Sequence, residues 1–201
     1  MIFTSEQSQN IYDALYDWLA VYTPGSRYSK GRLKKYQRMV WDPVIQAVNR
    51  IENQSSQNEE EREFLALTLY SGPIYRIQNF NPRSKGYIDE NNYYQSWSKS
   101  INGISSVTNF SGMILLIVGT AEQGIDVFGL LRYLNKYEYE CFTKADQWHK
   151  PESLYRYGKE EEISYLIVIS GLTSVVSINR NQLFDWEKCG NKIPEDKWRK
   201  L

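Results

Sequence analysis

Cysteine and histidine are scarce in this chain of 201 residues, with two Cys and one His. Cys141 and Cys189, far apart in sequence, are too few for a disulfide scaffold or a zinc site. A cytoplasmic, reducing setting is the expectation. Net charge is formally zero, from 24 basic and 24 acidic residues, so no bulk electrostatic pull toward nucleic acid is expected. Long apolar runs are missing: the longest, Met113 to Val118, is far too short to span a bilayer, and no membrane partner is expected. The opening MIFTSEQSQN has neither a basic n-region nor an apolar h-region, so no signal peptide is expected. No glycine-rich phosphate loop, Gly-x-Gly-x-x-Gly stretch or metal-ligand cluster is visible, which argues against a Rossmann-type use of dinucleotides and against a metal site.

Aromatics are abundant, with 16 Tyr, 6 Trp and 7 Phe, and 41% of residues are hydrophobic, so the chain has the means to bury a core. Charge is unevenly spread. Arg27 to Arg38 is a basic block, whereas Asn58 to Glu63 and Glu160 to Glu162 are acidic.

Apolar side chains at Ile11, Leu15, Trp18 and Leu19 have helical spacing over residues 5–20, and Thr23 to Ser26 (TPGS) ends that helix. Residues 30–53 carry a second apolar helical stripe, with Pro43 as a kink or restart. A polar loop follows at 53–58, then a short helix over 59–67. The pattern then changes. Strands are expected at 73–78, 92–97 and 113–119, and helices at 99–109 and 125–136. Strands at 161–169 and 173–179 are expected to form a hairpin through Ser170-Gly171. The fold class is therefore α+β: a helical N-terminal part (1–67), a β core (68–180) with a split, mixed or antiparallel sheet, and a C-terminal tail (181–201), forming a single domain.

Three segments carry candidate chemistry. Arg76 follows Tyr75 within an apolar strand, and its guanidinium forks naturally to phosphate; an edge-strand salt bridge is the bland alternative. Ser96-Trp97-Ser98 puts two hydroxyls on one strand face and a bulky anchor on the other. Glu160-Glu161-Glu162 runs directly into ISYLIVI. Strand alternation puts Glu160 and Glu162 on one face, where paired carboxylates raise one pKa and are costly unless used. A solvated charge run is the bland alternative.

An aromatic-Arg strand, a Ser-x-Ser strand and a Glu-x-Glu strand start, in that order, resemble the arginine–serine–glutamate (cholera-toxin-like) class of mono-ADP-ribosyltransferases. Phe110, about a dozen residues past the serines, and the run MILLIVGTAEQGIDVFGLL are similar to further parts of that family. The resemblance covers roughly residues 68–180. It departs at Ile77, where the family often has Gly, and in the helix after the serines, where Gly103, Ser105 and Ser106 replace the usual alanines.

The resemblance implies an ADP-ribosyltransferase fold and NAD as a consumed substrate. It implies that Glu162 stabilises a cationic ribose, that Arg76 holds a phosphate or ribose hydroxyl, and that Ser96 supports Glu162 or the nicotinamide ribose. Ile77, Trp97, Ser98 and Phe110 would help to bind the dinucleotide. Glu160 at its position implies transfer to an arginine of a protein acceptor. The loop from Trp148 to Lys159 would meet that acceptor, with Tyr155 and Tyr157 as candidates either for stacking on it or for pinning the loop. His149 reads as incidental. Small transferases of this class resemble those that bacteriophages carry to modify host proteins, and intracellular toxins; the phage type is the favoured resemblance and implies action in a host cytoplasm. Rival readings are an NAD glycohydrolase, a binding module that keeps the fold without the chemistry, and a nucleic-acid- or protein-binding module that uses the basic 27–38 segment.

Overall fold

The computed structural model describes residues 1–20, 34–88, 95–138, 154, 157–166 and 169–199. In chain order the elements are α1 (Ser5–Ala20), a π-helical turn (Gln37–Trp41), α2 (Asp42–Glu52), α3 (Glu59–Thr68), β1 (Leu69–Asn79), β2 (Gln95–Ser98), α4 (Ile101–Ser105), β3 (Met113–Asp126), α5 (Val127–Tyr137), β4 (Glu162–Tyr165), β5 (Leu172–Asn179), α6 (Trp186–Cys189) and β6 (Asn191–Lys192). The chain is α+β and divides into two compact units: Met1–Leu69 with Ile125–Gly158, and Tyr70–Gly124 with Lys159–Leu201. Among the described residues, no helix is long and apolar enough to cross a membrane.

The first unit is helical, and its helices start where local chemistry directs. Asn58 accepts from the Glu61 amide while the Glu61 side chain accepts from the Asn58 amide, a reciprocal capping box that opens α3. Pro43 sits in the first turn of α2, where its missing N–H costs least, and the π-helical turn immediately precedes it. The Asp126 carboxylate caps α5 by accepting from the Gly129 amide at 2.7 Å. Gly129 must be small, since a Cβ there would lie 1.7 Å from the Leu67 carbonyl oxygen. Phe3, Phe64 and Tyr133 meet edge to face at the core of this unit. The Tyr133 hydroxyl donates to Glu60 at 2.7 Å.

The second unit holds the sheet, in the order β1-β2-β4-β3-β5-β6, with a further pairing of β1 to β3. Register is antiparallel between β1 and β2, β2 and β4, β3 and β5, and β5 and β6. The apolar run of β3 is buried on both faces. Leu115, Ile117 and Ala121 join Ile74, Trp97, Ile163 and Val175 on one side. Ile114, Leu116 and Val118 join Ile77, Ile104, Val176 and Ile178 on the other. Residues after β5 fold back on the sheet: β6 pairs with β5, and Trp198 is buried in the first of these clusters.

Three expectations are corrected. The hairpin between residues 161–169 and 173–179 does not form, because β3 lies between β4 and β5. A strand apolar on both faces gains most from the central place, and β3 takes it. The helix expected over 99–109 is confined to Ile101–Ser105. Finally, the strand does not extend back over the acidic triplet. Glu160 ends a 3₁₀ turn (Gly158–Glu160), Glu161 has φ +50°, and β4 begins at Glu162. The strand alternation expected for Glu160 and Glu162 is therefore absent.

Candidate active site

Sheet order brings the three signature strands side by side, since β1, β2 and β4 are successive neighbours. Ser98 lies opposite Glu162, Trp97 opposite Ile163 and Ser96 opposite Ser164. Residues directly opposite in an antiparallel pair share a face, and so do residues two apart. Ser96, Ser98, Glu162 and Ser164 thus form a polar patch of two cross-strand pairs. Ser98, Glu162 and Ser164 are buried and Ser96 is half-buried. Tyr75, opposite Ser98, extends this row onto β1.

Trp97 turns the other way. It is 2% exposed, sits in a core cluster with Ile163, and donates its indole N–H to the Tyr165 carbonyl at 3.0 Å. Its side chain anchors the strand that carries the serines. Ile77 is likewise a core residue, and Phe110 packs against the same cluster as Ile77. Arg76 follows Tyr75, so alternation turns it from the face of the polar row. Its guanidinium reaches the strand edge, donating to the Ser96 carbonyl at 3.2 Å. Arg76 is therefore joined to the serine strand through the main chain.

The acidic turn before β4 is held by a compact set of bonds. The Ser98 hydroxyl donates to the Glu160 carbonyl at 2.7 Å, and the Lys99 amide donates to the Glu161 carbonyl at 3.2 Å. Ser100 caps α4 by accepting from the Gly103 amide at 2.9 Å, and its hydroxyl donates to the Glu161 carboxylate. Gly103 lets α4 approach this closely, since a Cβ there would lie 2.7 Å from the Glu160 carbonyl oxygen. Arg180 then pins the end of α4, donating to the Ser105 carbonyl at 2.6 Å. The consequence is a fixed turn: Glu161 is tied down while Glu162 enters the ladder. Burial pushes the Glu160 carboxyl above its usual range.

Tyr155, His149 and most of the basic 27–38 segment lie outside the described residues. Tyr157 is half-buried in the helical unit, with its amide donating to the Leu154 carbonyl at 3.0 Å. Ser100, Glu161 and Ser164 belong to the site region although the sequence motifs do not single them out. For Ser100 a cue is present, since a serine immediately before the first apolar residue of a helix is an N-cap pattern. For Ser164 the cue is its place two residues after Glu162, which puts its hydroxyl on the same strand face. Among the described residues, no group of three or more His, Cys, Asp or Glu is arranged to hold a metal ion. Comparison with protein-family models, with curated proteins and with solved structures finds no match.

Proposed function

We propose that this protein is an NAD-dependent mono-ADP-ribosyltransferase with an ADP-ribosyltransferase fold, which acts in a host cytoplasm on an arginine of a protein acceptor. The observation that carries this reading is the ladder of Ser96 and Ser98 in register with Ser164 and Glu162, with Arg76 bonded to the same serine strand. A buried carboxylate among hydroxyls is costly to maintain, and such groups concentrate where they are used.

In this mechanism the bond from ribose C1′ to nicotinamide breaks and nicotinamide leaves as the neutral base. The electron pair goes with it, and positive charge develops on the ribose, as in glycoside cleavage. Glu162 stabilises that charge. Ser98 holds the turn through its bond to the Glu160 carbonyl, and Ser96 supports Glu162 or the nicotinamide ribose. Arg76, whose guanidinium reaches round the strand edge, holds a phosphate or ribose hydroxyl of the dinucleotide. The acceptor guanidine nitrogen then bonds to C1′ and sheds a proton to Glu160. A carboxyl held above its usual range suits that step, because it takes a proton more readily.

The test is incubation of the purified protein with NAD labelled in its adenylate half and a cell lysate. Label should appear on protein, and Glu162→Ala should reduce it by about 10²–10³. Equal labelling by both proteins, or no NAD consumption, overturns the reading. Label released only as free ADP-ribose makes the protein a glycohydrolase.

A further inference from the structure

Ser164 is 0% exposed, and its hydroxyl has no hydrogen-bond partner among the described residues. A buried hydroxyl without a partner is unfavourable, and alanine at the same place would remove the penalty without leaving a large void. The neighbouring Ile163 joins the core on the other face of the sheet and makes no demand on the Ser164 side chain. The position is specific, however. Ser164 is two residues from Glu162 on the same strand, hence on the same face, and directly opposite Ser96 in the β2–β4 register. Along β4 and on its β2 side, the polar side chains beside it on that face are Glu162, Ser96 and, diagonally, Ser98. Serine has a single χ1 and three staggered positions, so a rotation reorients its hydroxyl without moving the backbone.

We propose that Ser164 is a positioning residue for Glu162: in the complex with NAD its hydroxyl donates to the Glu162 carboxylate from the buried side and holds it toward the ribose. This rests on the transferase reading above and extends it to a residue outside the signature motifs. Glu162 is 5% exposed, so little water reaches its carboxylate, and a neutral donor stabilises its charge without a competing ion. Ser96 occupies the opposite strand position and is half-buried, whereas Ser164 is fully buried.

The experiment compares wild type, Ser164→Ala and Ser164→Thr in thermal unfolding and in steady-state nicotinamide release from NAD. Ser164→Ala should be as stable as wild type or more stable. Its kcat should fall roughly 10- to 100-fold, the worth of a hydrogen bond to a charged group, with KM for NAD nearly unchanged. Ser164→Thr keeps the hydroxyl and should recover most of kcat. A structural role alone would lower stability and leave kcat in place. Ser164→Ala with unchanged kcat, or with clearly reduced stability, overturns the inference while leaving the transferase reading intact. A wild-type protein that releases no nicotinamide overturns both.

Discussion

Gly103→Ala tests how the acidic turn is held. The added Cβ would lie 2.3 Å from Ser98 Oγ, 2.7 Å from Glu160 O and 3.0 Å from Glu161 Oε2. Carbon and oxygen approach without strain to about 3.4 Å, so α4 or the turn must retreat by roughly 1 Å. Ser98 could rotate away, but it then gives up its 2.7 Å bond to the Glu160 carbonyl, worth about 1 kcal/mol. The Glu160 oxygen is main chain and has no rotamer to change. Overpacking of this kind costs about 1–3 kcal/mol, and alanine in a helix returns about 1 kcal/mol relative to glycine. The net expectation is a loss of about 1–3 kcal/mol, which at this chain length lowers Tm by about 2–4 °C per kcal/mol. Asn102→Ala is the control, one residue earlier in α4 and exposed, and should be neutral or slightly stabilising. Thermal and urea unfolding read the stability. Nicotinamide release reads the turn, and Gly103→Ala should slow it at temperatures where the variant is still folded. Stability and rate both equal to those of Asn102→Ala would refute the close-approach argument.

Two further variants follow from the same geometry. Asp126→Ala removes the acceptor that caps α5 and should cost about 1–2 kcal/mol in urea unfolding, with Asp126→Asn losing much less. Glu160→Gln should separate stability from transfer. The folded pKa of Glu160 is raised by burial, so its favourable contribution is fully present below the unfolded carboxylate pKa and is lost as pH rises through the folded one. Glu160→Gln should accordingly be more stable than wild type at neutral pH, with the advantage vanishing in acid, as read by urea midpoints across pH. Transfer to arginine should fall by about 10²-fold or more, the usual worth of a general base, while cleavage of NAD to free ADP-ribose persists.

Much of the fold was legible where the signal is local. The stripe of Ile11, Leu15, Trp18 and Leu19 became α1, Asn58 with the acids after it became the start of α3, and Met113 to Val118 became the two-sided strand β3. Strand order was not legible, because β4 and β5 are adjacent in sequence and nothing local reports that β3 intervenes. The acidic triplet failed for a related reason. Its residue types suit a strand start, but the turn is imposed by Ser98, Ser100 and Gly103 from sixty residues away, and Glu161 at φ +50° carries no glycine to announce it. The pairing of Ser98 with Glu162 was anticipated only as a common region. The burial of Ser164 beside it needed the register.

The central claim is that Glu162, and not its tied neighbour Glu161, faces the reacting ribose. Nicotinamide release from NAD by purified wild type, Glu162→Ala and Glu161→Ala addresses it directly. Thermal unfolding identifies which variants are folded. The account predicts a fall of about 10²–10³ for Glu162→Ala without loss of folding, and a much smaller fall for Glu161→Ala. A folded Glu162→Ala that releases nicotinamide at the wild-type rate, or a wild-type protein that releases none, would contradict it.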